Sequence, residues 1–254
     1  MTHFDLVIVG AGIAGASLSA EISTTRSVLL LEAESHPGYH STGRSAAFWD
    51  ECYGGPLVQP LTTASGPFLA NPPANFHDGP LMHPRGALHI GTDAHVPLAN
   101  GLLGDFAASG VHIERKDGAG VNAHVPGLRA EWNIGLWEAA CSDIDVAALH
   151  AAYLRQAKRQ GAQLLCNSRL ESAAWREGTW HIQAGGTQFS AGILVNAAGA
   201  WADNVAQIAS VPALGIQPYR RTIVQLVVSP DVPADLPLVI GLDGSFYFKP
   251  DTGG

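Results

Sequence analysis

The chain opens with Phe4-Asp5-Leu6-Val7-Ile8-Val9 running straight into Gly10-Ala11-Gly12-Ile13-Ala14-Gly15. The next apolar run, Ser27 to Leu31, ends on Glu32. Strand, glycine turn, helix, strand and acid come in the order that seats an adenine dinucleotide. Gly10 permits the tight turn, Gly12 lets a pyrophosphate approach bare backbone, and Gly15 lets helix and strand pack closely. The N–H groups of Ile13 and Ala14 open a helix whose positive end faces a diphosphate. Glu32 is placed to accept hydrogen bonds from ribose hydroxyls, and Ala33 follows it.

The bulk properties narrow the field. A chain of 254 residues can bury a sizeable core. Its net charge of −8 gives no electrostatic case for nucleic acid or an anionic membrane surface. Arg155, Lys158 and Arg159 read as the solvated face of one helix. Cys52, Cys141 and Cys166 contain no CxxC pair and read as reduced thiols. With no basic leader before the first strand, and no stretch long enough to span a bilayer, a cytoplasmic protein is expected. His77, His83, His89 and His95 recur at even spacing, but Pro80, Pro84, Gly86 and Gly91 interrupt them. No HExxH or zinc-like spacing occurs, so no metal site is expected.

Further along, Ser41 or Thr42 is expected to cap a short helix from Gly43 to Asp50. A second helix should cover Val58 to Ala70 and stop at Asn71-Pro72-Pro73. A strand near Ala87–Ile90 and a helix near Pro97–Ser109 follow. Asp143-Ile144-Asp145 should cap a helix from Val146 to Gln160, ended by Gly161. Leu164-Leu165-Cys166 reads as a strand, and residues 169–190 as an antiparallel meander. Ile193-Leu194-Val195 reads as a buried strand leading into Ala197-Ala198-Gly199-Ala200-Trp201 and a helix to Ala209. Residues 216–248 read mostly as strands. The expected organisation is a discontinuous nucleotide domain, residues 1–73 and 141–210, with a second domain from 74–140 and 211–254.

The glycine fingerprint alone does not separate NAD from FAD. Two segments favour FAD. In His40-Ser41-Thr42-Gly43-Arg44-Ser45-Ala46-Ala47, small residues let backbone lie against a flat ring system, while hydroxyls and Arg44 meet phosphate or ribose oxygens. In Val195-Asn196-Ala197-Ala198-Gly199-Ala200-Trp201, a strand end brings bare backbone up to the nucleotide. With Pro37-Gly38-Tyr39, Tyr53-Gly54, Asn71-Pro72-Pro73-Ala74, Leu149-His150, Gly215-Ile216-Gln217-Pro218, Arg220-Arg221 and Ser245-Phe246-Tyr247, these blocks resemble the FAD-dependent D-amino-acid oxidase superfamily. Bacterial D-arginine dehydrogenase-like members are the most similar, and the resemblance covers essentially the whole chain.

That resemblance implies an α/β fold: a Rossmann-like FAD-binding domain of the glutathione-reductase type plus a second α+β substrate domain. It implies FAD contacts from Gly10 to Gly15, Glu32, Ala33, Ser41 to Phe48, Leu170, Ala198, Gly199 and Trp201. It also implies oxidation of the Cα–N bond of a free amino acid, with the flavin taking hydride from Cα at N5 and oxygen or a quinone as final acceptor. Arg220 or Arg221 would anchor the carboxylate, Arg220 by family position. Tyr53 and Tyr247 fit the substrate tyrosines.

Phe48 stands where close relatives carry a histidine. Gly86-Ala87-Leu88 stands where they place an acid for a basic side chain, so a neutral or apolar D-amino acid is expected. Pro250 to Gly254 reads as a hairpin turn without a returning strand, and the family pattern continues beyond it. The chain therefore reads as incomplete at its carboxyl end. The alternatives are an inactive or partner-requiring fragment of such an enzyme, and an NAD-dependent oxidoreductase.

Overall fold

The computed structural model describes residues 1–220, 222–229 and 231–250, which divide into two compact units. The first comprises Met1–Ala46, Ala74–Asp78 and Asp145–Thr222; the second comprises Ala47–Pro73 and Gly79–Ile144 with the chain from Ile223 on.

The first unit is built on β1 (Thr2–Val9), α1 (Ile13–Ile22) and β2 (Val28–Leu31), followed much later by α5 (Val146–Arg159) and β9 (Gln163–Leu165). The antiparallel strands β10 (Leu170–Arg176) and β11 (Thr179–Ala184), then β12 (Thr187–Asn196) and α6 (Ala202–Ile208), complete it. Its six-stranded sheet has the order β10-β11-β12-β1-β2-β9. β12, β1, β2 and β9 run parallel, and β11 and β10 continue antiparallel. Val7, Ile8 and all of β2 are fully buried, as strands covered on both faces require. Leu6, Ile8, Val28 and Leu30 form one side of the core with Leu18 and Leu154. Val7, Val9, Leu29 and Leu31 face the other side, with Ile182, Phe189 and Val205. Asp145 caps α5 by accepting the Ala148 N–H at 2.8 Å, which fixes the helix start the sequence marks.

Two expectations change here. Ile193–Val195 is not a separate buried strand but the far half of β12, and Ile193 is 53% exposed. One ten-residue strand serves both sheet halves because it pairs antiparallel with β11 and parallel with β1. The helix anticipated over Gly43–Asp50 is instead a single 3₁₀ turn, Thr42–Arg44, followed by strand β3 (Phe48–Trp49). Ala47 breaks the helical path with a positive φ of 39°, and its carbonyl accepts the Ile144 N–H.

The second unit joins β3 to β8 (Ser142–Ile144) and β4 (Met82–Pro84) in a small sheet of order β3-β8-β4. Helix α2 (Gln59–Ala70) packs on β4. The larger sheet contains β5 (Ala87–Gly91), β6 (Glu114–Lys116), β7 (Ile134–Glu138), β13 (Leu238–Gly241) and β14 (Tyr247–Phe248). Its order is β14-β13-β5-β7-β6. Helices α3 (Val96–Phe106) and α4 (Gly118–His124) complete the unit. Leu88, Ile90 and Val239 lie on one face with Val121 of α4, while Ala87 and Leu238 lie on the other with Phe48, Cys141 and Tyr247. These pairings place residues 47–73 in the second unit rather than with the glycine-turn sheet.

The strands expected over 216–248 reduce to β13 and β14. Among the described residues of 211–237 there is no strand. Ile223, Val224, Leu226 and Val227 have strand-forming side chains but remain exposed, Val227 completely. A strand exists only when a neighbour completes its hydrogen-bond ladder, and no described segment does so for this run. The hairpin turn expected over 250–254 falls, from Asp251 on, outside the described residues.

Candidate functional site

The carboxyl ends of β12, β1 and β2 meet at one edge of the first sheet. β1 is the middle strand of the three, so this edge is the switch point at which open α/β sheets take ligands. Gly10 leaves β1 with φ 103°, and a Cβ there would lie 2.4 Å from the Ala197 carbonyl oxygen. At Gly15 a Cβ would lie 1.9 Å from the Gly10 carbonyl oxygen. No side chain fits at either position, because the obstacles are backbone. Gly12 is different: its nearest neighbour is the Thr42 hydroxyl, 3.2 Å from the Cβ position.

Three outside groups pin this turn. Glu32 is buried, and its carboxylate accepts the Ala11 N–H at 3.1 Å and the Glu34 N–H at 3.0 Å. A carboxylate has about four acceptor sites, so capacity remains for a ribose hydroxyl. Thr42 accepts the Ile13 N–H at 3.0 Å. His150, buried on α5, bonds the Ala11 carbonyl at 2.8 Å. Ala14 and Gly15 lie in the first turn of α1, where no carbonyl four residues back exists within the helix. That turn carries no acid, so an anion meets the helix's positive end without a competitor.

The loop after Ala33 folds against the same region. Gly43 N–H bonds the Gly38 carbonyl at 2.8 Å, and Gly38 packs against the His150 ring. His40 bonds Glu34 at 3.0 Å, and its ring centroid lies 4.4 Å from that of Trp201. Arg44 lies 5.5 Å over the Tyr39 ring. Ser41, Gly43, Arg44 and Ser45 are exposed, and Ala46 is half-buried. On the other side of β1, Ala197 N–H bonds the Val9 carbonyl, and Asn196 braces the Ala198–Gly199 turn through the Ala202 carbonyl. The first unit thus brings together Gly10, Gly12, Ile13, Ala14, Gly15, Glu32, Ala33 and Thr42, with Ala198 and Gly199 across the edge. Leu170 is different, its side chain being buried in the core beside Ile182 and Val205.

A cradle of bare backbone, one buried carboxylate and an acid-free helix start is chemically suited to an uncharged sugar and a diphosphate. His150 stands in the Leu149-His150 block of the resemblance, but its role at the turn was not read from the sequence. It is a lone histidine inside a helix, and only the fold reveals that it holds the turn.

In the second unit, Tyr53 and Tyr247 flank Phe48, with ring centroids 6.0 and 6.3 Å away. Tyr53 is 65% exposed. Asp50 fixes the turn before it, its Oδ1 accepting the Cys52 and Tyr53 N–H groups at 2.8 and 3.1 Å. Arg85 is held by Asp143 and by the carbonyls of Ala234 and Leu236, and Lys249 bonds the same Asp143 at 2.6 Å. Ala87 and Leu88 are core residues. Burial pushes the Cys52 and Cys141 thiols far up, with nearby carboxylates adding to the effect. Burial also raises the Glu138 carboxyl to about 7, reinforced by the charge of Asp50. Arg220 is exposed in a stretch of the first unit without regular structure, where Asp203 holds the N–H groups of Leu214, Gly215 and Ile216. Arg221 lies outside the described residues. The tyrosines and Arg220 therefore belong to different units.

A family model described as DAO, FAD dependent oxidoreductase, matches residues 5–254. Among solved structures, an L-proline dehydrogenase from P. horikoshii superposes with a TM-score of 0.77 at 19% identity, over 95% of this chain and 65% of that one. L-alpha-glycerophosphate oxidase from Mycoplasma pneumoniae, with FAD bound, has a TM-score of 0.74 at 17% identity, over 83% of this chain and 58% of that one. Glycine oxidase from Geobacillus kaustophilus gives 0.74 at 16%, over 82% and 58%. The chain thus spans about three-fifths of the length of these proteins, and the likeness is one of fold. Among the described residues, no helix is long and apolar enough to cross a membrane.

Proposed function

Because the chain belongs to the DAO family of FAD-dependent oxidoreductases, we propose that it oxidises the Cα–N bond of a free D-amino acid with a neutral side chain. The product is an imino acid, which water converts to a 2-oxo acid and ammonia. The observation that carries this reading is the backbone cradle at Gly10 and Gly15, with Glu32 buried beside it. FAD bound there supplies the two-electron acceptor for the Cα hydride.

The chain's own residues divide the remaining work. Ala14 and Gly15 N–H groups receive the diphosphate, and Glu32 receives the ribose. Ser41 to Phe48 and Ala198, Gly199 and Trp201 lie against the cofactor. Arg220 pairs with the substrate carboxylate, as a guanidinium fork does bidentately. Within the second unit, Tyr53 and Tyr247 on either side of Phe48 carry hydroxyls of the kind that bond a carboxylate or an amine. The amine loses its proton to water. A neutral side chain is supported by the absence of any acid at Gly86, Ala87 and Leu88, and by Asp143 being already engaged by Arg85 and Lys249.

The test is anaerobic mixing of the FAD-loaded protein with D- and L-amino acids while the flavin absorbance is followed. Bleaching by D-alanine or D-phenylalanine, and not by D-arginine or the L-enantiomers, is expected. Bleaching by L-enantiomers alone, or by D-arginine in preference, overturns the substrate assignment. Stable FAD binding without bleaching by any amino acid overturns the activity.

A further inference from the structure

Three residues in the second unit come together, each with a buried polar atom that lacks a partner. One ligand atom from each of Asp50, His89 and Glu138 lies within 4.8 Å of the other two, and Asp50 Oδ2, His89 Nε2 and Glu138 Oε2 are buried. None has a hydrogen-bond partner among the described residues. Asp50 is 3% exposed, Glu138 0% and His89 8%. Native interiors seldom leave even one such atom unpaired, and each costs free energy in a medium that solvates it poorly. Three such residues gathered this closely ask for a shared ligand.

The fold builds this convergence. Glu138 on β7 stands opposite Ala87 on β5, and His89 is two residues along β5. Alternation therefore puts His89 and Glu138 on the same sheet face as diagonal neighbours. Asp50 comes from the turn after β3. Its other oxygen is committed to the Cys52 and Tyr53 N–H groups, and the second Glu138 oxygen accepts the Glu51 N–H at 2.9 Å. These bonds orient both carboxylates and leave Asp50 Oδ2 and Glu138 Oε2 without a partner.

We propose that Asp50, His89 and Glu138 form a buried three-ligand site for a divalent transition-metal ion of the zinc type. Two carboxylates and one neutral imidazole neutralise a dication, which removes the cost of burying both charges. One nitrogen and two oxygens suit Zn²⁺ first, with Mn²⁺ and Fe²⁺ as competitors. Ligand distances of about 2.0–2.2 Å require a sub-ångström contraction of the three side chains. Because Asp50 also holds the Tyr53 amide, the ion would lock the turn that presents that tyrosine. No motif could reveal the site, since its ligands come from three distant segments.

Metal content and thermal melting decide the matter, read on FAD-loaded protein stripped with chelator and dialysed against Zn²⁺, Mn²⁺ or Fe²⁺ separately. About one tightly held equivalent of Zn²⁺ per chain is expected, as in other three-ligand protein sites. A Tm about 5–10 °C higher than the stripped protein is expected at metal 100-fold above Kd. His89→Gln and Asp50→Asn should each lose both effects, two variants guarding against one that fails to fold. Uptake below about 0.1 equivalent with no Tm response overturns the site, as does unchanged uptake by His89→Gln. A Glu138→Gln variant as stable as the parent, beside a parent indifferent to chelator, would show that the carboxyls merely share a proton.

Discussion

At the scale of single residues, the glycine turn makes sharp demands. Gly15→Ala drives a Cβ into the Gly10 carbonyl, an overpacking of rigid backbone that costs about 3 kcal/mol or more. Loss of bound FAD and a lower Tm are expected, read by visible absorbance after gel filtration and by melting. Glu32→Gln keeps the shape and weakens the charge-assisted bonds to Ala11 and the ribose. FAD affinity should fall about tenfold, in keeping with about 1.5 kcal/mol for such bonds. His150→Ala leaves the Ala11 carbonyl unpaired inside the unit, and should cost about 1–3 kcal/mol of stability in denaturant melts. The glycines and Glu32 were legible in the sequence because each has a backbone or charge role tied to a fixed order of elements. His150 was not, because its partner lies across the fold.

At the scale of elements, pairing decides what propensity leaves open. Arg85 beside β4, Lys249 after β14 and Asp143 on β8 share one carboxylate. Asp143→Asn leaves two cations facing one neutral amide and should cost about 2 kcal/mol, below the fully buried range because all three are partly exposed. Helix α4 meets β7 where His124 stacks on Trp137 at 4.1 Å. Burial, then Lys116, lowers the His124 pKa from its usual 6.5. A depressed histidine contributes stability above its unfolded value, and loses it as pH falls through the folded value. Stability should therefore decline on acidification below about pH 6.5, and His124→Gln should flatten part of that slope. The sequence marked α1, α2, β5 and α5 because caps, prolines and apolar spacing agreed there. It misjudged Gly43–Asp50, where Ala47 turns left-handed and β3 pairs with β8, a neighbour far along the chain. It misjudged 216–237 because strand propensity does not supply a partner strand.

At the scale of the whole molecule, the two units differ in how much of them local sequence determines. In the first unit the β1–α1–β2 order is short-range and legible in the sequence, while α5, β9 and β12 join it from far along the chain. The second is assembled from distant segments, and its boundary with the first falls after Ala46 and not after residue 73. Between α6 and β13 the described chain lacks regular structure and exposes apolar side chains. Limited trypsin should cut first in this stretch, at Arg220, while the sheet of the first unit stays intact by mass spectrometry.

The central claim is that the carboxyl edge of the first sheet holds FAD. An equilibrium titration of flavin fluorescence with the purified chain tests it directly, with Glu32→Gln and Gly12→Glu run in parallel. Saturable binding of one FAD per chain is predicted, weakened by the first substitution and abolished by the second, which places a carboxylate at the α1 N-terminus. FAD left unbound by the parent protein, or bound equally well by Gly12→Glu, would contradict it.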